Sequence, residues 1–174
     1  MLTIHEFEKL LQYFIWHHSY SQDLDHTFDI PGIFDYHINE HKWRDVGYNE
    51  LIETYNGRAL VVAGRTILGD GAHTLGMNHN SYGACVVGCY DNEKPSKILY
   101  DKMLERSLIA MLTYKIPIEN FIGHWESFVI LGKARTRTEA WKKFKTCPGR
   151  TIDMDKFRND LYAEWVRYNK QLRS

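Results

Sequence analysis

With 174 residues and 44% hydrophobic content, the chain is long enough to bury a real core, and a single globular domain is expected. Lys plus Arg and Asp plus Glu both number 22, so no global field argues for nucleic acid or for an acidic membrane surface as a partner. The charges are unevenly placed, however: residues 1 to 56 hold ten acidic side chains against Lys9, Lys42 and Arg44, while residues 133 to 150 hold seven basic ones against Glu139. An anionic ligand would be drawn to the second region. The three cysteines, Cys85, Cys89 and Cys147, are too sparse for a disulfide framework and fit a reducing compartment. The acidic N-terminus lacks a signal-peptide pattern and no run approaches the about 20 apolar residues of a membrane span. Cytoplasmic synthesis as a soluble protein is therefore expected, with a monomer as the simplest state.

Thr3 and Glu6 form a capping-box pattern with Ile4, Phe7, Leu10 and Leu11 at helical spacing, which predicts a short helix over 4–11. Tyr13-Phe14-Ile15-Trp16 reads as a buried strand ending in His17-His18-Ser19. Side chains alternate along a strand, so one histidine can serve a site while the other packs or faces water. Residues 30 to 41 show helical spacing after Asp29 and Pro31. His37 and His41 there are an i, i+4 pair with ligand geometry, but without a third ligand nearby they read as surface residues. Residues 50–54 and 59–62 predict a hairpin turned at Asn56-Gly57. The glycine-rich stretch 69–81, with His73, Asn78 and His79, predicts an irregular loop.

Tyr82 to Cys89 is a continuous apolar run, the pattern of a central strand buried on both faces. Cys85 and Cys89 are about 13 Å apart on such a strand, too far for a disulfide, and read as packing residues. Pro95-Ser96 opens a long helix to about Tyr114, its buried side expected at Ile98, Leu99, Met103, Leu108 and Met111. Residues 120–123 predict another strand, which delivers His124. In the basic stretch 127–144, Thr136 and Glu139 can cap a short helix, and Met154, Phe157, Leu161, Trp165 and Tyr168 mark a final helix over about 153–169. Strands alternating with helices give an α/β domain with a mostly buried mixed sheet flanked by helices.

Lys145-Thr146-Cys147-Pro148-Gly149 holds a cysteine in a turn, aimed by proline and glycine. Beside a lysine, such a thiolate suits both a nucleophile and a soft metal ligand. Together with His17-His18-Ser19, the Trp43 to Tyr48 segment, Gly71-Ala72-His73 to Ser81 and Gly123-His124, this pentapeptide resembles the zinc-dependent N-acetylmuramoyl-L-alanine amidases of the type 2 amidase and peptidoglycan recognition protein superfamily. The small phage-encoded members that carry the name lysozyme are the most similar in pattern. The resemblance spans about residues 13–152, and its motifs are dispersed but in family order.

The resemblance implies one zinc per chain on His17, His124 and Cys147, with Tyr48 and Lys145 catalytic. Three protein ligands leave zinc an open position, the mark of a catalytic site. It further implies hydrolysis of the amide between N-acetylmuramic acid and L-alanine in peptidoglycan, as an endolysin that another factor releases to the cell wall. His73, Asn78 and Asn49 are implied as substrate contacts; Asn49 stands where the family usually has His, and Val87 where another branch has a catalytic Glu. Residues 127–144 look like a basic insertion, either touching stem-peptide carboxylates or forming a solvated loop. Two other readings are a non-catalytic peptidoglycan-binding module and a regulatory protein acting through protein contacts.

Overall fold

The alternation of β1 (Tyr13–His18) divides the molecule into two sides. Phe14 and Trp16 point into the larger apolar cluster, and Ile15 points to the opposite face, where it packs with Met77 and Ile122. In the computed structural model, which describes residues 11–173, five strands form one sheet in the order β3-β2-β4-β1-β5. The expected helix over 4–11 lies outside the described residues except for Leu11. The hairpin of β2 (Glu50–Tyr55) and β3 (Arg58–Ala63) is antiparallel, whereas β4 (Ser81–Val86) and β5 (Phe121–Gly123) run parallel to β1. Asn56 and Gly57 turn the hairpin with φ of 50° and 71°, the left-handed pair that matches strand twist. β4 is central and every one of its residues is buried, as the apolar run from Tyr82, interrupted by Gly83, predicts.

Helices α2 (Lys97–Tyr114) and α5 (Met154–Gln171) cover the Phe14/Trp16 face. Ser96 caps α2 by accepting the Leu99 N–H. The buried side of α2 is Leu99, Met103, Leu104, Ser107, Ala110 and Met111, so the expectation for Ile98 fails: it is 48% exposed. Leu99 and Met103 set the inward stripe, and Ile98 lies off it. On the other face sits α1 (Ile30–Asp35), continued by a π-turn over Tyr36–Glu40. The fully buried Glu53 carboxylate holds the start of α1 by accepting from Asp29 and Ile30 N–H. No helix among the described residues is long and apolar enough to cross a membrane.

The stretch after β5, expected to hold one short helix, holds two. Chain leaves the strand directly into α3 (His124–Ile130), then turns into α4 (Arg137–Lys143), which Thr136 caps through the Glu139 N–H as expected. Ala134 and Ala140 are buried, and Trp125 packs edge-on against Trp141. Glu126, 6% exposed, ties these helices together: its carboxylate accepts from Gly123 N–H at 2.8 Å, from Arg137 at 2.8 Å and from Arg158 of α5 at 3.1 Å. Glu126→Ala leaves the Gly123 N–H without its side-chain acceptor and Arg158 with only Asp155 and the Phe121 carbonyl, and is expected to cost about 2 kcal/mol. Urea denaturation checks this, and a loss within the about 1 kcal/mol of an exposed pair would show Glu126 to be an ordinary surface partner.

Candidate metal and catalytic site

The site forms at the carboxyl ends of the parallel strands, where open α/β sheets present side chains to ligands. β1 and β5 pair with Trp16 opposite Gly123. The next residue on each, His17 and His124, therefore emerge side by side, with ring centroids 4.6 Å apart. The two adjacent histidines part as alternation requires: His17 joins the site, while His18 turns back and accepts the Tyr90 N–H at 3.2 Å. His124 is the first residue of α3, and its ring stacks on Phe128, which stacks in turn on Phe144.

Cys147 reaches the same place from the loop before α5. Its carbonyl accepts the Trp125 N–H at 3.3 Å, and the approach is close: a side chain at Gly123 would begin 2.7 Å from Pro148 Cδ. Gly149 has φ +123° and lies against the Tyr90 carbonyl, a conformation and a distance that exclude a Cβ. Asp91 clamps the loop from outside, accepting from Thr146 Oγ1 at 3.0 Å and from Arg150 N–H at 3.2 Å. Nothing in the spacing around Asp91 distinguishes it from an ordinary loop carboxylate.

One donor atom from each of His17, His124 and Cys147 lies within 4.8 Å of the other two, the one such cluster among the described residues. Tetrahedral zinc with bonds of about 2.0–2.3 Å has edges of about 3.5 Å, so the three donors converge on the scale of one cation. Their chemistry also fits. Burial holds His17 well below the usual imidazole range, aided by His124 and His73, and brings His124 to about 3. Both rings are thus neutral with a lone pair to give. Burial pushes the Cys147 thiol up, against the opposing pull of the His18 backbone and Lys145. Such a thiol is a poor free nucleophile at neutral pH but yields its proton to a soft cation.

Tyr48 stands over His17, ring centroids 5.2 Å apart. Burial, with the Cys85 and Cys147 sulfurs beside it, raises its hydroxyl well above the usual phenol range, so it remains a hydrogen-bond donor. Cys85, read from sequence as packing, is thus also a neighbour of the site. Lys145 is exposed and lines a cleft of about 480 Å³ with His124, Trp43, Phe128 and Lys133. Of the other basic residues of the 133–150 stretch, Arg137 pairs with Glu126 and Asp155, and Lys143 with Glu139. A larger groove of about 690 Å³ past the end of β1 carries no such donor set.

Three residues expected as substrate contacts are placed differently from one another. Asn49 is 7% exposed and both ends of its amide are used: Gly83 N–H donates to its oxygen at 2.8 Å, and its nitrogen donates to the Arg65 carbonyl at 3.0 Å. It is a strut that holds the Tyr48 segment to β4. Asn78 lines the cleft, but its oxygen accepts from His73 and Thr74 N–H and shapes the loop. His73 lies behind His17, 9% exposed. His37 does not ligate either: it accepts the Gly47 N–H at 3.2 Å, and both His37 and His41 pack on Trp43.

The three histidines make the metal-free protein acid-sensitive. His17, His73 (brought to about 4 by burial) and His124 hold protons more weakly in the fold than in the unfolded chain. Below about pH 6.5 the unfolded chain takes up protons that the fold refuses, so stability falls with pH, at up to about 1.4 kcal/mol per unit for each group. Urea midpoints of chelated protein at pH 7, 6 and 5 are expected to decline together with pH; a flat series would contradict this burial.

A mixed sheet that brings a buried and a half-buried histidine together with a loop cysteine at the carboxyl ends of its strands presents a donor set that could hold one metal ion. The chain matches the N-acetylmuramoyl-L-alanine amidase family over residues 8–150, and it belongs to that family. It is 44% identical over 54 residues to the endolysin of Enterobacteria phage T3, covering 31% of this chain and 34% of that one. It is 28% identical over 130 residues to Drosophila melanogaster peptidoglycan-recognition protein LB, covering 70% and 54%. The matches therefore span between a third and about half of these relatives' lengths. The fold is that of the N-acetylmuramoyl-L-alanine amidase LysC from Clostridium intestinale, with TM-score 0.68 at 17% identity over 90% of this chain and 88% of that one.

Proposed function

We propose that this protein is a zinc-dependent amidase that hydrolyses the bond between N-acetylmuramic acid and L-alanine in peptidoglycan, acting as a phage endolysin. The observation that carries the reading is the convergence of His17, His124 and Cys147 beside Tyr48 and Lys145 in a member of the amidase family. His17, His124 and Cys147 would hold the metal, which supplies Lewis-acid polarisation of the amide carbonyl and activation of water near neutral pH. Tyr48, kept protonated, donates a hydrogen bond to the oxygen on which charge develops. Lys145 places a positive charge at the mouth of the same site, where it stabilises that oxygen or hands a proton to the leaving amine. Lys133 and Lys145 together make the cleft wall cationic, which suits the carboxylates of a stem peptide.

Two observations favour an enzyme over a module that binds without cutting: Cys147 is present, and it faces both histidines. Incubation with purified cell walls separates the two. Hydrolysis releases new L-alanine amino termini without new sugar reducing ends, and a chelator stops it. Retention on the walls with no new amino termini would replace the enzyme by the binding module.

A further inference from the structure

His73 was expected at the substrate, yet it is built into the protein behind a metal-binding residue. Its Nδ1 lies 3.1 Å from His17 Nε2, and Thr74 Oγ1 lies 3.1 Å and 3.3 Å from those same two nitrogens. The two imidazoles meet edge-on, 82° between planes. Asn78 fixes the approach by accepting both backbone N–H groups of the His73-Thr74 pair, at 3.0 Å and 2.7 Å. The fold is hollowed for this ring: a Cβ at Gly83 would lie 2.4 Å from it and one at Gly71 2.5 Å.

The arrangement is costly if it serves only packing. His73 Nε2 is buried without a hydrogen bond of ordinary geometry, the Ser81 backbone being a further polar neighbour of the ring, and a poorly satisfied buried polar atom costs stability that an apolar ring would not. The compensation lies at Nδ1. His17 has two ring nitrogens, and its Nε2 is turned to His73 and Thr74; Nδ1 is then the nitrogen left to meet the donors of His124 and Cys147. A neutral imidazole ligates through the nitrogen without the proton, so the Nε2 of His17 must carry that proton and needs an acceptor. His73 Nδ1 is an acceptor when its own proton is on Nε2.

We propose that His73, assisted by Thr74, is a positioning residue: it accepts the His17 Nε2 proton, and so fixes the tautomer and orientation that turn His17 Nδ1 to the metal. This rests on the zinc-site reading above and replaces a substrate role for His73 with one at the metal. Partners of ligating histidines generally act in this way.

The test is zinc affinity by chelator competition in wild type, His73→Phe and His73→Asn, with cobalt-substituted spectra of each. Phenylalanine fills the cradle without an acceptor; asparagine places a carbonyl oxygen near the position of Nδ1. His73→Phe is expected to bind zinc about 10- to 100-fold more weakly and to shift the cobalt d–d bands, while His73→Asn returns to within about threefold of wild type. Metal-free thermal unfolding of the variants controls for the fold. Wild-type affinity in His73→Phe would overturn the proposal, as would a loss in His73→Asn equal to that in His73→Phe, which would assign the effect to packing. If wild type itself binds no zinc, the metal-site reading fails first.

Discussion

Cys147→Ser is expected to strip the protein of zinc and of wall-hydrolysing activity together, while leaving its metal-free stability near that of wild type. The substitution changes one atom. Sulfur is the soft, ionisable member of a donor set whose other two members are neutral imidazoles. A serine hydroxyl does not ionise near neutral pH, and as a hard neutral oxygen it binds zinc poorly. Loss of a ligand's outer partner already costs about 10- to 100-fold in metal affinity or activity, and loss of a ligand itself should exceed this. Metal analysis of both proteins checks the expectation. Equal zinc in wild type and Cys147→Ser would sink the site assignment, whatever the activity.

Tyr48→Phe and Lys145→Ala are expected to behave differently from Cys147→Ser: each keeps zinc and loses rate. Neither residue belongs to the converging donor set. Tyr48 packs at a tilt against His17 with a hydroxyl that burial keeps protonated, and Lys145 lines the cleft beside His124. Removing one well-placed donor to a developing oxyanion costs about 100- to 1,000-fold in kcat. The loss should therefore fall mainly on kcat, with KM little changed, since the interaction forms as charge develops. Full activity in either variant at unchanged zinc content would remove that residue from the chemistry. The pH dependence of Lys145→Ala adds a further distinction: a proton-transfer role predicts loss of the alkaline limb of the profile, and an electrostatic role predicts a uniform drop.

Much of this centre was legible before any fold was known, for reasons that differ by residue. His17 was marked by its place at the end of an apolar strand, Cys147 by the Pro-Gly turn that follows it, and His124 by the short strand before it. Tyr48, Lys145 and the ligand set as a set came from family resemblance, since no spacing relates residue 17 to residue 147. The His37/His41 pair satisfied ligand spacing and was set aside as surface residues; both rings pack on Trp43 and His41 is exposed, but His37 is buried. Asn49 and His73 were expected at the substrate from motif order, and His73 does line the cleft. Both are buried and engaged by their neighbours.

The sequence by itself determined the strands, the hairpin, the two long helices and the α/β class. These follow from local periodicity, turn chemistry and caps, such as Asn56-Gly57 and Ser96, which act over a few residues. Only the tertiary structure decided the parallel register that sets His17 beside His124, the Asp91 clamp on the Cys147 loop, the helix that begins at His124 and the place of His73 behind His17. Those features depend on contacts between residues far apart in the chain, and such contacts leave no periodic trace in sequence.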